Sequence, residues 1–325
     1  MWRSSSSVKV LLGASLVAVS AVAIYHISSR KKKRTRIIEM MEEFQKSNVH
    51  IRDSDRVEEL VTQLIKGGKD MLQVVSDFDK TMSRHSYNGK RVPSCHGVLD
   101  NSEFLPESYR TEAWKLRNKY YPIEMSATVK LEEKYQAMVE WWSTAHGLLV
   151  NCDLTQSKVA QIVAKSEIRL RDGVNQTLEL LHQNNVPLLI FSAGVGDILK
   201  EAIRQKAFLY ENIFVISNFM DFNTEGKLVG FKGELIHTFN KHEVAVHHPE
   251  VFEKNKSRKN IILLGDTLGD LTMVDGMPYK ENVLTIGFLN DHISENLEEY
   301  KRRYDIVLVD EGSFDLVKTI LHKIF

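Results

Sequence analysis

Cysteine is scarce in this chain. Cys95 and Cys152 are the only two in 325 residues. They make no metal-ligand spacing and no disulfide framework, so a reducing compartment is the simpler setting. Proline is also rare, at 6 residues, while 43% of the chain is hydrophobic, which describes an ordered globular protein rather than a linker-rich one. Net charge is absent: 43 basic residues stand against 43 acidic ones, so no global field recruits nucleic acid. There is no internal repeat, and low complexity is confined to Ser4–Ser7. The length suits one large α/β domain carrying an inserted second domain.

What is present begins with an apolar N-terminal run. Val8 to Tyr25 carries one charge, Lys9, and is followed by the basic run Arg30-Lys31-Lys32-Lys33-Arg34-Thr35-Arg36. Its length is at the lower edge of what spans a bilayer, about 17–25 residues. The charge bias on its C-terminal flank places the following domain in the cytosol. A cleaved secretory signal has its charge ahead of the apolar core instead. Residues 1–36 are therefore expected to be a membrane anchor with its basic flank, with residues 8–25 holding a cytoplasmic catalytic domain at the endoplasmic reticulum membrane.

Helical patterns follow over Ile37 to about Gln45 and over RVEELVTQLIK, the latter with Asp55 as its cap and Gly67-Gly68 as its stop. Leu72-Gln73-Val74-Val75-Ser76 reads as a buried strand. From Ser83 to about Glu167 the character changes to three stretches of helical period without β-branched runs, a helical insertion at residues 85–167. Most of its aromatics, Trp114, Tyr120, Tyr121, Tyr135, Trp141 and Trp142, are expected in the core of the insertion, with one or two lining a pocket. Strands then alternate with helices: Val186–Phe191, Ile213–Ser217, a hairpin around Gly226, Ile261–Leu264, Val283–Phe288 and Ile306–Val309. This rhythm predicts a Rossmann-like, doubly wound parallel sheet built from residues 37–84 and 168–325.

Chemistry gathers at the strand ends. Asp77 and Asp79 follow the first strand one residue apart, and alternate residues of extended backbone share a face. Two carboxylates so close need a cation or a shared proton to relieve them. Ser192 ends a second strand, and Asp266 and Asp270 follow a third. Parallel strands deliver their carboxyl ends to one edge of the sheet, so these motifs can converge. Carboxylates with carbonyls and water suit a hard octahedral cation, which points to Mg2+ and, with a hydroxyl and a lysine nearby, to a phosphate substrate. Gly194-Val195-Gly196 lacks the G-K-[ST] ending of a nucleotide-triphosphate loop. His242, His247 and His248 read as a surface loop rather than a metal cluster.

The motifs Asp77-Phe78-Asp79-Lys80-Thr81, Phe191-Ser192-Ala193-Gly194, Phe239-Asn240-Lys241-His242 and Gly265-Asp266-Thr267-Leu268-Gly269-Asp270 resemble those of the haloacid dehalogenase superfamily of aspartate-nucleophile phosphatases. IEMMEEFQKS, KYYPIEM, MVEWW, SNFMDF, GFKGELIHTFNKH and IILLGD look, more narrowly, like the cytosolic pyrimidine 5′-nucleotidases of type III. That resemblance runs from about Ile37 to the C-terminus. It implies that Asp77 attacks phosphorus to form an aspartyl-phosphate and that Asp79 is general acid and then base. It implies a magnesium ion on Asp77, the main-chain carbonyl of Asp79 and Asp266. It further implies Lys241 as the charge partner, and Ser192 and Ala193 on the phosphate oxygens; a lone lysine is more often solvated, and Lys232 is a competing candidate. Thr81 and Asp270 are supporting residues, Asp270 orienting Lys241 or the metal's waters. Ser192 also allows a plain helix N-cap.

In the resembled enzymes the insertion is a cap over the site, and its base-contacting glutamate matches Glu124. A carboxylate there accepts from an exocyclic amine, and neighbouring aromatics stack on the base. Ala145 stands where some relatives carry serine, which leaves preference among UMP, CMP and 7-methyl-GMP open. The expected activity is a magnesium-dependent 5′-nucleotidase releasing nucleoside and phosphate, with nucleoside phosphotransfer as a side activity and a monomeric state. A general phosphomonoesterase and a membrane-tethered binding protein with a vestigial site are the alternatives. The anchor reading predicts that the full-length chain sediments with membranes and that a chain beginning near Ile37 does not. Recovery of full-length protein in the soluble fraction would overturn it.

Overall fold

The computed structural model describes residues 36–126, 128–242, 244 and 252–325. The apolar run, the basic residues up to Thr35, His247 and His248 lie outside them. Among the described residues no helix is long and apolar enough to cross a membrane.

The strands are β1 (Val49–Ile51), β2 (Leu72–Ser76), β3 (Ser86–Tyr87), β4 (Lys90–Arg91), β5 (Leu188–Val195), β6 (Ile213–Phe222), β7 (Leu228–Lys232), β8 (Asn260–Gly265), β9 (Asn282–Phe288) and β10 (Ile306–Leu308). Eight of them form one sheet in the order β1-β10-β9-β8-β2-β5-β6-β7. The six from β10 to β6 are parallel, and β1 and β7 close the two edges antiparallel. All five residues of β2 are buried between β8 and β5. A strand covered on both faces has no polar face to alternate with, which is why it reads as an unbroken apolar run.

Alternate residues of the central strands divide between two hydrophobic layers. Val74, Leu188, Ile190, Ile262 and Leu264 pack with the helices Ser54–Gly67, Val174–Gln183, Gly196–Lys206 and Asp315–Ile324. Val75, Leu189, Phe191, Ile261 and Leu263 face the opposite side, under Met273, Met277 and the partly buried Ile293, Leu297 and Tyr300. The α/β prediction holds, with a mixed rather than purely parallel sheet.

Three local expectations are corrected. Residues 37–45 form not one helix but two 3-10 turns, Ile38–Met40 and Glu42–Gln45, broken at the extended Met41. Glu58 takes the N–H groups of Ile37 and Ile38 at 2.9 and 3.0 Å, and Met41 is buried. The next helix is capped by Asp53, whose carboxylate accepts from the N–H groups of Asp55 and Arg56. Asp55 instead pairs with Arg36. Third, β5 does not stop at Phe191 but continues to Val195 through a register shift against β6.

Three of the helices between β4 and β5 fall on the predicted stretches: Glu107–Met125, Leu131–Val150 and Gln156–Lys165. Tyr120, Met138 and Trp141 form a small buried cluster between the first two. Phe231 of β7 stacks on His146 at 3.6 Å between centroids, joining the second helix to the sheet edge. The β3–β4 hairpin, the short helix Cys95–Asp100, the helix Ile293–Arg303 and β1 were not predicted.

The cap assignment predicts that Asp53→Ala destabilises the protein by about 1 kcal/mol in urea denaturation. Asp55→Ala, losing only an exposed ion pair, should cost less. An equal cost for the two variants would contradict the assignment.

Candidate active site

Asp77 is the first residue past β2, and its N–H donates to the Leu264 carbonyl at 2.9 Å, holding the end of β2 against β8. Asp77 is 5% exposed and Lys241 2%. The Lys241 ammonium donates to Asp77 Oδ1 at 2.6 Å and to Asp270 Oδ1 at 2.7 Å. Asp77, Asp266 and Asp270 bring carboxylate oxygens within 4.8 Å of one another. Lys232, the competing lysine, is at the end of β7 and faces Asp221 at 3.8 Å, away from this cluster.

The three carboxylates are not equivalent. Asp270 Oδ2 accepts from the N–H of Asp266 at 3.0 Å, the N–H of Thr267 at 2.8 Å and the Thr267 hydroxyl at 3.0 Å. With Oδ1 on Lys241, both its oxygens are engaged, so it shapes the loop and holds the lysine. The Asp266 side chain makes no hydrogen bond among the described residues, and its carbonyl is fixed by the Tyr300 hydroxyl at 2.8 Å. Asp77 Oδ2 and the Asp266 carboxylate thus offer hard oxygen donors to a cation, and the donor set fits magnesium.

Electrostatics agree with that fit. Burial raises the Asp77 carboxyl to about 7 even though Lys241 pulls it down. Burial, then the charges of Asp77 and Asp270, pushes Asp266 well above the carboxylate range. Lys241 would be lowered by burial, but Asp270 and Asp77 outweigh that and raise it. A bound divalent cation restores the charged forms of these acids.

Asp79 Oδ1 accepts from the Cys95 N–H at 2.9 Å, at the start of the short helix that sequence reading missed. Burial raises the Asp79 carboxyl. Ser192 is not a helix N-cap: it lies within β5, and its hydroxyl accepts from the Gly194 N–H at 3.0 Å. A Cβ on Gly194 would stand 2.8 Å from Asp79 Oδ2 and 2.9 Å from Cys95 Cβ, so only glycine lets this loop approach Asp79. Asn218 ties the loop down, donating to the Ala193 carbonyl at 2.9 Å and to the Ile236 carbonyl at 2.8 Å. Thr81 is buried with its hydroxyl unpartnered, so its hydrogen bonds here run through its main chain.

Glu124, near the end of the helix Glu107–Met125, accepts from the Thr238 hydroxyl at 2.7 Å, three residues before Lys241. It lines the same cavity of about 750 Å³ as Asp77, Asp79, Ser192 and Lys241. Trp114, Tyr121, Trp141 and Trp142 also line it, more aromatics than expected. Ala145 is buried in the helix Leu131–Val150 and does not line it. His242 is exposed and meets Asp275 at 3.3 Å.

Sequence reading also missed Arg171. Its buried guanidinium donates to the carbonyls of Lys80 at 2.5 Å, Thr81 at 2.8 Å and Gly312 at 3.0 Å, and to Asn290. Lys80 has φ 63°, a left-handed conformation that a lysine rarely takes unaided.

A raised Asp77 gives a sign for the pH dependence of stability. The folded state keeps a proton that the unfolded chain releases above the ordinary 3.8, so this contribution is full below 3.8 and lost as pH rises towards about 7. In chelator, the urea midpoint should fall across that window, less so in Asp77→Asn, and magnesium at the upper end should restore it. A midpoint that neither falls nor responds to the metal would defeat the assignment.

Comparison with known proteins bears on this geometry. Residues 80–325 match the family described as pyrimidine 5′-nucleotidase (UMPH-1). The 7-methylguanosine phosphate-specific 5′-nucleotidase of Homo sapiens is 48% identical over 279 residues, 86% of this chain and 93% of its own length. That of Drosophila melanogaster is 37% identical over 83% of this chain and 85% of its own. A crystal structure of cytosolic 5′-nucleotidase IIIB bound to cytidine superposes with a TM-score of 0.81 at 35% identity, covering 88% of this chain and 96% of that one. A HAD family hydrolase of Salmonella enterica shares the fold alone, with TM-score 0.52 at 12% identity over 79% of this chain and 73% of that one. The chain belongs to the pyrimidine 5′-nucleotidase family, 5′-nucleotidases on a haloacid dehalogenase-like α/β fold.

Proposed function

We propose that this protein is a magnesium-dependent 5′-nucleotidase that hydrolyses 7-methyl-GMP and the pyrimidine monophosphates CMP and UMP. One observation carries the reading. A single cavity has an ionic cluster suited to phosphate chemistry, Asp77 with Lys241, and also a carboxylate among aromatic rings, Glu124 with Trp114 and Tyr121. A carboxylate accepts from the exocyclic amine of cytosine or of 7-methylguanine. Electron-rich rings favour the cationic methylated base. The relatives named for 7-methylguanosine phosphate and the neighbour solved with cytidine support both base types.

In this reading Asp77 is the nucleophile, its Oδ1 fixed by Lys241 so that the carboxylate presents one face to phosphorus. Burial raises the Asp79 carboxyl, which favours its protonated form, and in this reading Asp79 gives a proton to the leaving nucleoside oxygen. It then takes a proton from the water that cleaves the aspartyl-phosphate. The Ser192 oxygen accepts from Gly194, which leaves its own proton free to donate to a phosphate oxygen beside the Ala193 N–H. Asp77, the Asp79 carbonyl and Asp266 would hold magnesium, which would supply the positive charge that lets an anionic nucleophile meet an anionic ester. Capture of the aspartyl-phosphate by a nucleoside hydroxyl gives the phosphotransferase side activity.

The proposal includes residues 85–167 as a specificity cap on a core of residues 37–84 and 168–325. It also includes membrane attachment through residues 8–25, which rests on the sequence alone, and a monomeric enzyme.

Asp77→Asn should lower turnover by about a thousandfold or more while leaving the melting transition in place. Phosphate release from UMP, CMP, 7-methyl-GMP, AMP and glucose 6-phosphate, with and without magnesium, should show base-bearing substrates well ahead and no turnover without the metal. Near-normal activity of the variant would sink the nucleophile assignment, and equal turnover of glucose 6-phosphate would make the protein a general phosphomonoesterase.

A further inference from the structure

A second cleft, of about 560 Å³, opens where the β3–β4 hairpin meets the Gly173 end of the helix Val174–Gln183. Arg84, Arg169, Arg171, Lys206 and Lys318 line it, against two carboxylates, Asp172 and Asp315. Five positive charges less two negative leave an excess of three in a chain whose formal net charge is zero. Glu311, 3.5 Å from Arg171, and Glu167, 3.5 Å from Arg169, offset part of that excess from just outside the lining.

The cations differ in how far they are already committed. Arg84 is held by Asp172 at 2.5 Å and Lys318 by Asp315 at 2.8 Å. Arg171 is buried on main-chain carbonyls and also meets Glu311 at 3.5 Å. Arg169 meets Glu167 only at 3.5 Å with both side chains exposed. Lys206 is exposed and makes no ion pair among the described residues. Two cations are therefore available to a ligand.

The rest of the lining says what kind of ligand. The guanidinium groups of Arg84 and Arg169 lie over the Tyr87 ring, 5.5 and 4.4 Å from its centroid. The one aromatic ring of the cleft is thus covered by cations and is not left for a nucleobase to stack on. Asn175 and Gln176 belong to the first turn of a ten-residue helix whose cap residue, Gly173, has no side chain to satisfy the turn's N–H groups. Such a turn adds partial positive charge and main-chain donors to the guanidiniums. Guanidinium forks and free N–H groups match phosphate oxygens.

We propose that this cleft binds a compact, multiply charged phosphate anion, with the pyrophosphate group as the recognised unit. Its walls are continuous with the catalytic loop. The Arg84 N–H donates to the Arg169 carbonyl at 2.8 Å and the Arg171 N–H to the Met82 carbonyl at 2.9 Å. The Arg171 side chain then reaches the carbonyls of Lys80 and Thr81. An anion on Arg169 and Lys206 bears on the segment that follows Asp79 without entering the catalytic cavity.

Isothermal titration of pyrophosphate into the full-length protein in chelator tests this. Saturable binding should persist in Ser192→Ala and weaken about tenfold or more in the Arg169→Ala, Lys206→Ala double variant. That variant should keep its melting transition, since both side chains are exposed. Orthophosphate and ATP as further arms identify the source: tighter ATP binding names a nucleotide, and tighter pyrophosphate names an inorganic anion. Absence of saturable binding, equal affinity in the double variant, or loss of binding in Ser192→Ala would each overturn the proposal.

Discussion

The ammonium of Lys241 between Asp77 and Asp270 is the contact on which the rest of the site depends. Each of these groups is too costly to bury alone, because an unpaired ion loses its hydration without return. Together they hold one another at 2.6 and 2.7 Å in nearly full burial. Replacing the lysine by an uncharged residue would leave two carboxylates facing a third, Asp266, in a region of low dielectric. The lysine therefore stabilises the site before it takes part in any reaction. Lys241 follows the Ile236–Asn240 loop, which is held by Asn218 on Ile236 and by the Asn240 side chain on His237 and Leu235.

Close packing of the strand-end loops adds a second constraint. Besides Gly194, Gly265 has no space for a side chain: a Cβ there would stand 2.4 Å from Asp270 Cβ. Asn218 uses its amide on two of these loops, accepting from the Ile236 N–H at 2.9 Å and donating to the carbonyls of Ala193 and Ile236. Loops fixed by backbone contacts of this kind need little reorganisation when charge develops in front of them. Rigidity here comes from main-chain hydrogen bonds and excluded volume rather than from apolar burial.

The sheet was legible in the sequence because its central strands are buried on both faces, and LQVVS, IILL and VPLLIF show it directly. Asp77, Asp79, Ser192 and Asp266 were legible for a related reason, since parallel strands carry their ends to one edge. What was missed has little pattern to read. β1 has three residues and the β3–β4 strands two each, around Asn88-Gly89. The helix Ile293–Arg303 has no fully buried residue, and its apolar side is only Ile293, Leu297 and Tyr300 among charged neighbours. The extension of β5 past Ser192 follows from pairing with β6, a long-range event that local propensity does not encode. Arg171 recognises carbonyl oxygens, which every residue has, so nothing in the sequence marks its partners.

Arg171 also has a consequence for the order in which the enzyme is made. The guanidinium that holds Lys80 and Thr81 is itself held by Asn290 and Gly312, 119 and 141 residues further along. The catalytic loop is thus among the earlier parts of the domain to leave the ribosome, yet its fastening waits for nearly the last. A nascent chain halted before Gly312 has every acid of the site already translated, and Arg171 and Asn290 for the carbonyls of Lys80 and Thr81, but lacks the carbonyl that steadies the other side of the Arg171 guanidinium.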